Sequence, residues 1–441
     1  MSSTSRKMMS LFVITVIIAA AVSSALTWYF TTTYLTPAGP GTTPSKPKIT
    51  VAMELGTGAA DITVNLTLRW AEKHNVTVEF INAPDADVAY GKMVTAGQAG
   101  ETPYDIVYMW GDFIPSLGDK KLVLPLDNYI SASELESIAP STLTPMYYKN
   151  TLYAFPYLDD NQILWYRKDL ISEPPRTIQE LLSMSERIYA QTNKHVYGYV
   201  DSWSEASVPL VCKFIVWLAA AGGKLWDYDR NVPVWNSSEG VRALDWMRTL
   251  AQSNATDPSS WTNEDWVGEG DAFAAGNAAM MVNWAGVDVP LNPETSSVTG
   301  KIGWTLVPAI KTSGTVSAPD GMVVSSYTKY PELAIELAKF IALDYPLTVA
   351  RVKNSPYIPS LISALQDPGV VKTLEDRGLS DIFKAITEQK TNYPVGEKGL
   401  IPQWGDIVTV LGQQLSAALH GEKSAQQALD DAAAKALELV R

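Results

Sequence analysis

With 441 residues the chain is too long for one ordinary domain, and its 46% hydrophobic and 18% charged residues exclude a disordered chain. A net charge of −13 repels phosphate backbones, which excludes nucleic acid as a partner and favours a neutral or cationic ligand. The single cysteine, Cys212, leaves no intramolecular disulfide to form, and three dispersed histidines (His74, His195, His420) make no His/Cys metal site to expect.

Arg6 and Lys7 precede an apolar run from Met8 to Phe30 of roughly membrane-spanning length. Positive charges before such a run keep the N-terminus inside and place everything after it outside. Residues 1–30 therefore read as an export signal or a retained anchor, with no cysteine directly after the run to carry a lipid. Residues 31–48 are rich in Thr, Pro and Gly, cannot pack a core, and read as a tether.

From Ile49 onward ITVAMEL, VTVEFI and DIVYMW read as strands, alternating with helical stretches beginning at Ile62 and Val88. This β-α-β-α-β order predicts a parallel sheet covered by helices. Helices dominate later, in TIQELLSMSERIYAQ, in the apolar VPLVCKFIVWLAAAGG that holds Cys212, and in SSEGVRALDWMRTLAQS. Strands return in AAMMVNW, KIGWTLVPA and GMVVSSY, and the tail after Ser380 is helical. Internal repeats of the kind a solenoid or surface array needs are absent.

Fourteen tryptophans and twenty tyrosines exceed what a core of this size needs. Trp110, Trp203, Trp235, Trp261, Trp284 and Trp404 stand at predicted strand ends and loops. Indole faces pack against the C–H face of a pyranose ring, and ionised carboxylates accept its hydroxyls through charge-assisted bonds. Carboxylates stand beside the aromatics, Asp112 after Trp110 and Asp159 and Asp160 in FPYLDDNQILWYRKDL. Ligands of open α/β sheets bind beyond the carboxyl ends of strands, where both clusters fall.

The order of YDIVYMWGDFIPSL, TLYAFPYLDDNQILWYRKDLI, FAAGNAAMMVNW, GWTLVPAI, PDGMVVSSYTKYPELAIELAKFIAL and IPQWGDIVTVLGQQLSAAL resembles the extracellular solute-binding proteins of family 1, which include maltose and trehalose binders. The resemblance runs over residues 49–441. It implies ligand contacts at Trp110, Asp112, Asp159, Asp160, Trp284, Trp404 and a cleft-facing Gly321. Near the first strand ELGTGAAD lacks the charged pair of the maltose binders, so Glu54 stands there as the candidate, while Gly56 and Gly58 are too short a pattern for a phosphate loop. No cofactor or metal is expected.

The fold so implied is α/β, two-lobed and periplasmic-binding-protein-like, with discontinuous lobes and an interlobe ligand cleft. One lobe would take residues 49–157 and 301–343, the other 158–300 and 344–441, with crossings near 156–160, 286–300 and 342–346. The chain would act as the extracytoplasmic subunit of an ABC importer, a monomer at the cell membrane that captures a sugar or oligosaccharide. It would pass this ligand to the permease transmembrane subunits, which work with a cytoplasmic ATPase. One alternative is an exported glycoside hydrolase, which also needs paired carboxylates. Asp159 and Asp160, as strand neighbours, would point to opposite sides and flank one bond poorly. A second keeps the fold with a peptide, polyamine or ferric ligand, although the adjacent Tyr147 and Tyr148 read as part of a strand and turn.

Overall fold

The computed structural model describes residues 46–441 apart from 84–85, 206–207 and 356–357. The apolar run and nearly all of the tether lie outside the described residues. Strands β1 (Lys48–Met53), β2 (Thr77–Asn82) and β3 (Ile106–Trp110) alternate with helices α1 (Gly58–Lys73) and α2 (Ala86–Gly97). Each helix returns the chain to run the same way, so β1 is parallel to both β2 and β3, with Lys48 opposite Thr77 and Val51 opposite Ile106. Thr57 caps α1 by accepting the Ala60 N–H at 3.2 Å.

Strand β4 (Ala154–Arg167) is unusually long at 14 residues. A hairpin leads into it, pairing Tyr147–Tyr148 with Thr151–Leu152. Its turn residues Lys149 and Asn150 have φ of 48° and 64°, the left-handed pair that a two-residue turn requires. Strands β5 (Met280–Trp284), β6 (Ile302–Thr305), β7 (Thr315–Val324) and the short β8 (Val395–Gly396) complete the sheet. The order is β6-β4-β7-β3-β1-β2, with β5 also on β4 and β8 on β7.

β7 runs antiparallel to both β3 and β4, and β4 changes partners along its length. Its first half pairs with β7, while its second half pairs with β5 (Gln162 opposite Trp284) and β6 (Leu164 opposite Thr305). Two apolar cores follow from this. One gathers Ile49, Val51, Ile106, Phe155, Met322 and Ile341; the other gathers Leu164, Phe214, Trp217, Met280, Val316 and Leu411. Both β4 and β7 contribute to each core.

Helix α3 (Val208–Ala221) is apolar around its whole circumference and buries every residue from Pro209 to Ala221. Cys212 lies within it, and burial pushes its thiol up to about 11. Beside it Lys213 is fully buried, bonded to Glu269 at 2.8 Å and Asp201 at 3.2 Å, and donates to the Val282 carbonyl. Burial opposes the lysine charge, but the two carboxylates outweigh it and hold the pKa above the ordinary value. Burial lifts Glu269 to about 8 against the pull of Lys213. Removing one partner of such a cluster leaves uncompensated charge in a dry interior. Lys213→Met should therefore lower the unfolding free energy by about 3–5 kcal/mol in denaturant titration; a loss under about 1 kcal/mol would mean that the carboxylates are protonated or hydrated.

Candidate ligand-binding cleft

The carboxyl end of β3, the middle of β4 and the middle of β7 form the floor of a cavity of about 250 Å³. β3 contributes Tyr108 and Trp110, β4 contributes Leu158 and Asp160, and β7 contributes Ala318 and Asp320. Each pair is two residues apart, as one face of a strand demands. Tyr157 joins them because β4 bulges there: Leu158 pairs with Asp320 and Pro156 with Gly321, leaving Tyr157 as the extra residue. The facing wall comes from Trp266, first residue of helix α4 (Trp266–Ala274), and from Trp284, Gly286 and Asp288. Glu54 lines the cavity after β1, and Lys398 reaches it from the loop before helix α5 (Trp404–Leu419).

Asp160 is held by two backbone donors, Asn161 N–H and Gly286 N–H, each at 2.8 Å. A Cβ on Gly286 would come within 2.8 Å of the Asp160 carboxylate, so this approach needs glycine. Burial raises Asp160 to about 6, with the two N–H bonds and Lys390 pulling the other way. Asp320 accepts from Tyr108 Oη at 2.6 Å and from Gly111 N–H at 3.2 Å. Burial takes it further, to about 7, against the opposing pull of Lys398 and Tyr108. Burial and then Asp320 raise Tyr108 well above the ordinary tyrosine value. Gly111 is required where it stands, since a Cβ there would lie 2.3 Å from the Pro319 carbonyl oxygen.

Lys398 Nζ sits 5.2 Å from the Trp110 ring and 5.8 Å from the Trp284 ring. Burial opposes its charge, yet Asp112, Cys212 and Asp320 raise its pKa above the ordinary lysine value. The ammonium is thus fixed between two indoles. Cation–π attraction and a buried carboxylate hold it there.

Of the residues singled out in the sequence, Glu54, Trp110, Asp160 and Trp284 come together around the cavity. Trp284 does so with an indole Nε1 that has no hydrogen-bond partner among the described residues. Asp112 and Trp404 are brought together with each other instead, behind the wall: Trp404 Nε1 donates to Asp112 at 2.9 Å, and Lys398 Nζ to the same carboxylate at 3.2 Å. Asp159 faces away from Asp160, accepts from Ser317 at 2.7 Å and pairs with Lys390 and Thr142. Gly321 is turned into the sheet packing, where a Cβ would meet Met146 and Ala154 within 2.8 Å. Trp203 and Trp235 are core residues.

Tyr108, Tyr157, Asp320, Trp266 and Lys398 were not singled out in the sequence. Tyr108 carried a signal, because it shares a strand face with Trp110, whereas Asp112 falls in the 3-10 turn Gly111–Phe113 after the strand has ended. Asp320 carried no such signal, because its partner on the strand face, Ala318, is not a candidate in the sequence. Among the described residues no group of three His, Cys, Asp or Glu is placed to share a metal ion.

The family profile described as bacterial extracellular solute-binding protein matches residues 56–344. The chain belongs to the bacterial extracellular solute-binding protein family. Its relatives include a probable ABC transporter-binding protein of Deinococcus radiodurans, 27% identical over 71% of this chain and 76% of the relative. Another is a maltotriose-binding protein of Pyrococcus abyssi, 27% identical over 66% of this chain and 65% of the relative. Among solved structures the maltose-bound T. maritima protein MalE3 superposes with a TM-score of 0.79 at 21% identity, covering 89% of this chain and 99% of that one. That likeness establishes the two-lobed, periplasmic-binding-protein-like α/β fold for this solute-binding protein.

The cleft of this family member carries a thermodynamic cost at neutral pH. A carboxyl whose folded pKa is raised adds stability below its unfolded value, near pH 4, and loses that contribution as pH rises through the folded value, here about 7 for Asp320. Asp320→Asn removes the ionisation. Its stability relative to the parent should therefore rise by on the order of 2 kcal/mol between pH 5 and pH 8. Urea unfolding of both proteins at the two pH values measures this, and a pH-independent difference would place Asp320 in an unperturbed environment.

Proposed function

We propose that the protein captures a sugar outside the cytoplasm and delivers it to the permease of an ABC importer. The observation that carries this reading is the cavity itself: three indoles, Trp110 on the floor and Trp266 and Trp284 on the facing wall, surround Asp160 and Asp320. Stacking supplies affinity without direction, and the carboxylates accept hydroxyls in fixed directions. Membership of a solute-binding family and the maltotriose-binding relative support the same ligand class.

The proposed role is binding without catalysis. Asp160 and Asp320 each have both oxygens engaged by fixed N–H or O–H donors, which suits them to accept further hydrogen bonds. Asp159 lies on the opposite side of β4. Glu54, Trp110, Asp160 and Trp284 are the proposed ligand contacts, joined by Tyr108, Trp266, Asp320 and Lys398. Asp112, Asp159, Gly321 and Trp404 are proposed to support the site from behind.

The proposed lobes are residues 49–157 with 301–343, and 158–300 with 344–441. Strand β4, which contributes to both cores, supports the proposed crossing near 156–160, and the other crossings are proposed near 286–300 and 342–346. Residues 1–30 are proposed to hold or export the chain at the membrane, with residues 31–48 as tether and the folded part a monomer.

Intrinsic tryptophan fluorescence of residues 46–441, titrated with mono-, di- and oligosaccharides, a peptide mixture and spermidine, tests the reading. A saturable response to one sugar class is expected, weakened about tenfold or more by Asp160→Ala and by Trp284→Ala. Affinity should also fall as pH drops through about 6, where Asp160 gains its proton, and Asp160→Asn should lose that step. A response to peptide or spermidine alone would keep the fold and overturn the sugar assignment.

A further inference from the structure

Tyr157 lines the cleft from a bulge, so it is left out of the ladder between β4 and β7 and its ring must be held by something other than the pleat. Arg351 holds it. The guanidinium lies 4.2 Å from the centre of the Tyr157 ring, and that ring meets Tyr108 edge to face at 5.7 Å with planes 72° apart. Tyr108 in turn donates to Asp320, so three successive contacts join Arg351 to a carboxylate of the cleft floor. Arg351 itself is fully buried and lies outside the cavity lining.

The place of the guanidinium follows from a helix junction. The helix Pro331–Leu343 ends in carbonyls that its own backbone cannot satisfy, and the next helix, Tyr345–Asn354, begins directly after Asp344. Arg351 Nη1 donates to the Ile341 carbonyl at 2.8 Å, and Nη2 to the Ala342 carbonyl at 3.4 Å and to Thr348 Oγ1 at 3.1 Å. A planar guanidinium can make such bonds at its edge while turning a face to an aromatic ring, which an ammonium cannot do. The attraction between cation and ring is strongest out of water, as here. Beyond the second helix the chain returns to β4 on both sides of Tyr157: Ser360 Oγ donates to the Pro156 carbonyl at 2.7 Å, and Asp159 N–H to the Ile358 carbonyl at 3.0 Å. Arg351 thus joins the proposed crossing near 342–346 to a ring standing in the proposed crossing near 156–160.

We propose that Arg351 is a positioning residue of the binding site, acting on the ligand through Tyr157. It fixes the ring that the bulge releases from the ladder, and through that ring it backs Tyr108 beside Asp320. A saccharide on this floor meets a surface set by a residue that it never touches. This assignment rests on the sugar-binding reading.

Calorimetric titration of the full chain with maltooligosaccharides and galactooligosaccharides of one to five units, in a double-mutant cycle of Arg351→Met and Tyr157→Ala, tests it. With the sugar that binds, Arg351→Met should weaken affinity about tenfold in the parent, and by less than about twofold once Tyr157 is alanine. Arg351→Lys keeps the charge without the planar fork, so its affinity should fall between those of the parent and Arg351→Met. The same cycle built on Arg351→Lys keeps the test open if Arg351→Met does not fold. A role confined to capping the helix would lower the melting temperature of the Arg351 variants and leave the affinity of the folded protein unchanged, and that outcome would overturn the positioning role. Losses that add in full in the double variant would overturn it too, because Arg351 would then act independently of Tyr157. In both cases the parent still binds and the sugar-binding reading stands. Failure of the parent to bind any member of either series would overturn the sugar-binding reading and the positioning role with it.

Discussion

Strands β4 and β7 are the constraint on which the rest depends. They lie side by side and antiparallel from Ala154 to Asn161 and from Ser317 to Val323, and each feeds both apolar cores. Because one pair of strands is shared, the cores cannot be laid down independently. The same strands carry Tyr157, Asp160, Ala318 and Asp320 into the cleft. A cleft built on the connection between two bodies senses their relative position, and hinge closure around a ligand uses such geometry.

Buried charge is the second theme. The interior holds Lys213 with Asp201 and Glu269, Lys398 with Asp112, and Lys390 with Asp159. Buried pairs contribute little net stability, but they are strongly directional and fail badly when one member is lost. Here they fix the cleft walls. Glu269 belongs to the helix that begins at Trp266, and Lys213 holds Val282, two residues before Trp284. Asp112 joins the turn after β3 to Lys398 and to Trp404 at the start of α5. Asp320 and Asp160 bear a desolvation cost at neutral pH at the cleft, as Glu269 does in the interior.

The aromatic excess divides into two uses. Trp165, Trp203, Trp217 and Trp235 are sealed in the interior, where large flat side chains fill volume. Trp110, Trp266 and Trp284 stand at the ends of secondary elements, where the backbone turns and the rings line the cleft. Composition raised the idea of stacking on a sugar, but it could not sort these groups.

The sequence by itself determined the element order, the parallel start of the sheet, the all-round apolar helix at 208–221 and the opposed directions of Asp159 and Asp160, because periodicity and strand alternation are local properties. It also brought out Trp110, Asp160, Trp284 and Glu54. Only the tertiary structure decided that Asp112 and Trp404 bond to each other behind the wall, that Gly321 serves the sheet, and that Lys398, far along the chain from either indole, stands close to the rings of both. Strand β3 ends at Trp110, so Tyr108 rather than Asp112 shares its face; a bulge in β4 adds Tyr157; and Trp266 is brought to the cleft at the start of a helix whose approach to β3 is a tertiary contact. Where a strand stops, where it slips by one residue and which distant loop covers it are set by long-range packing, which local patterns do not encode.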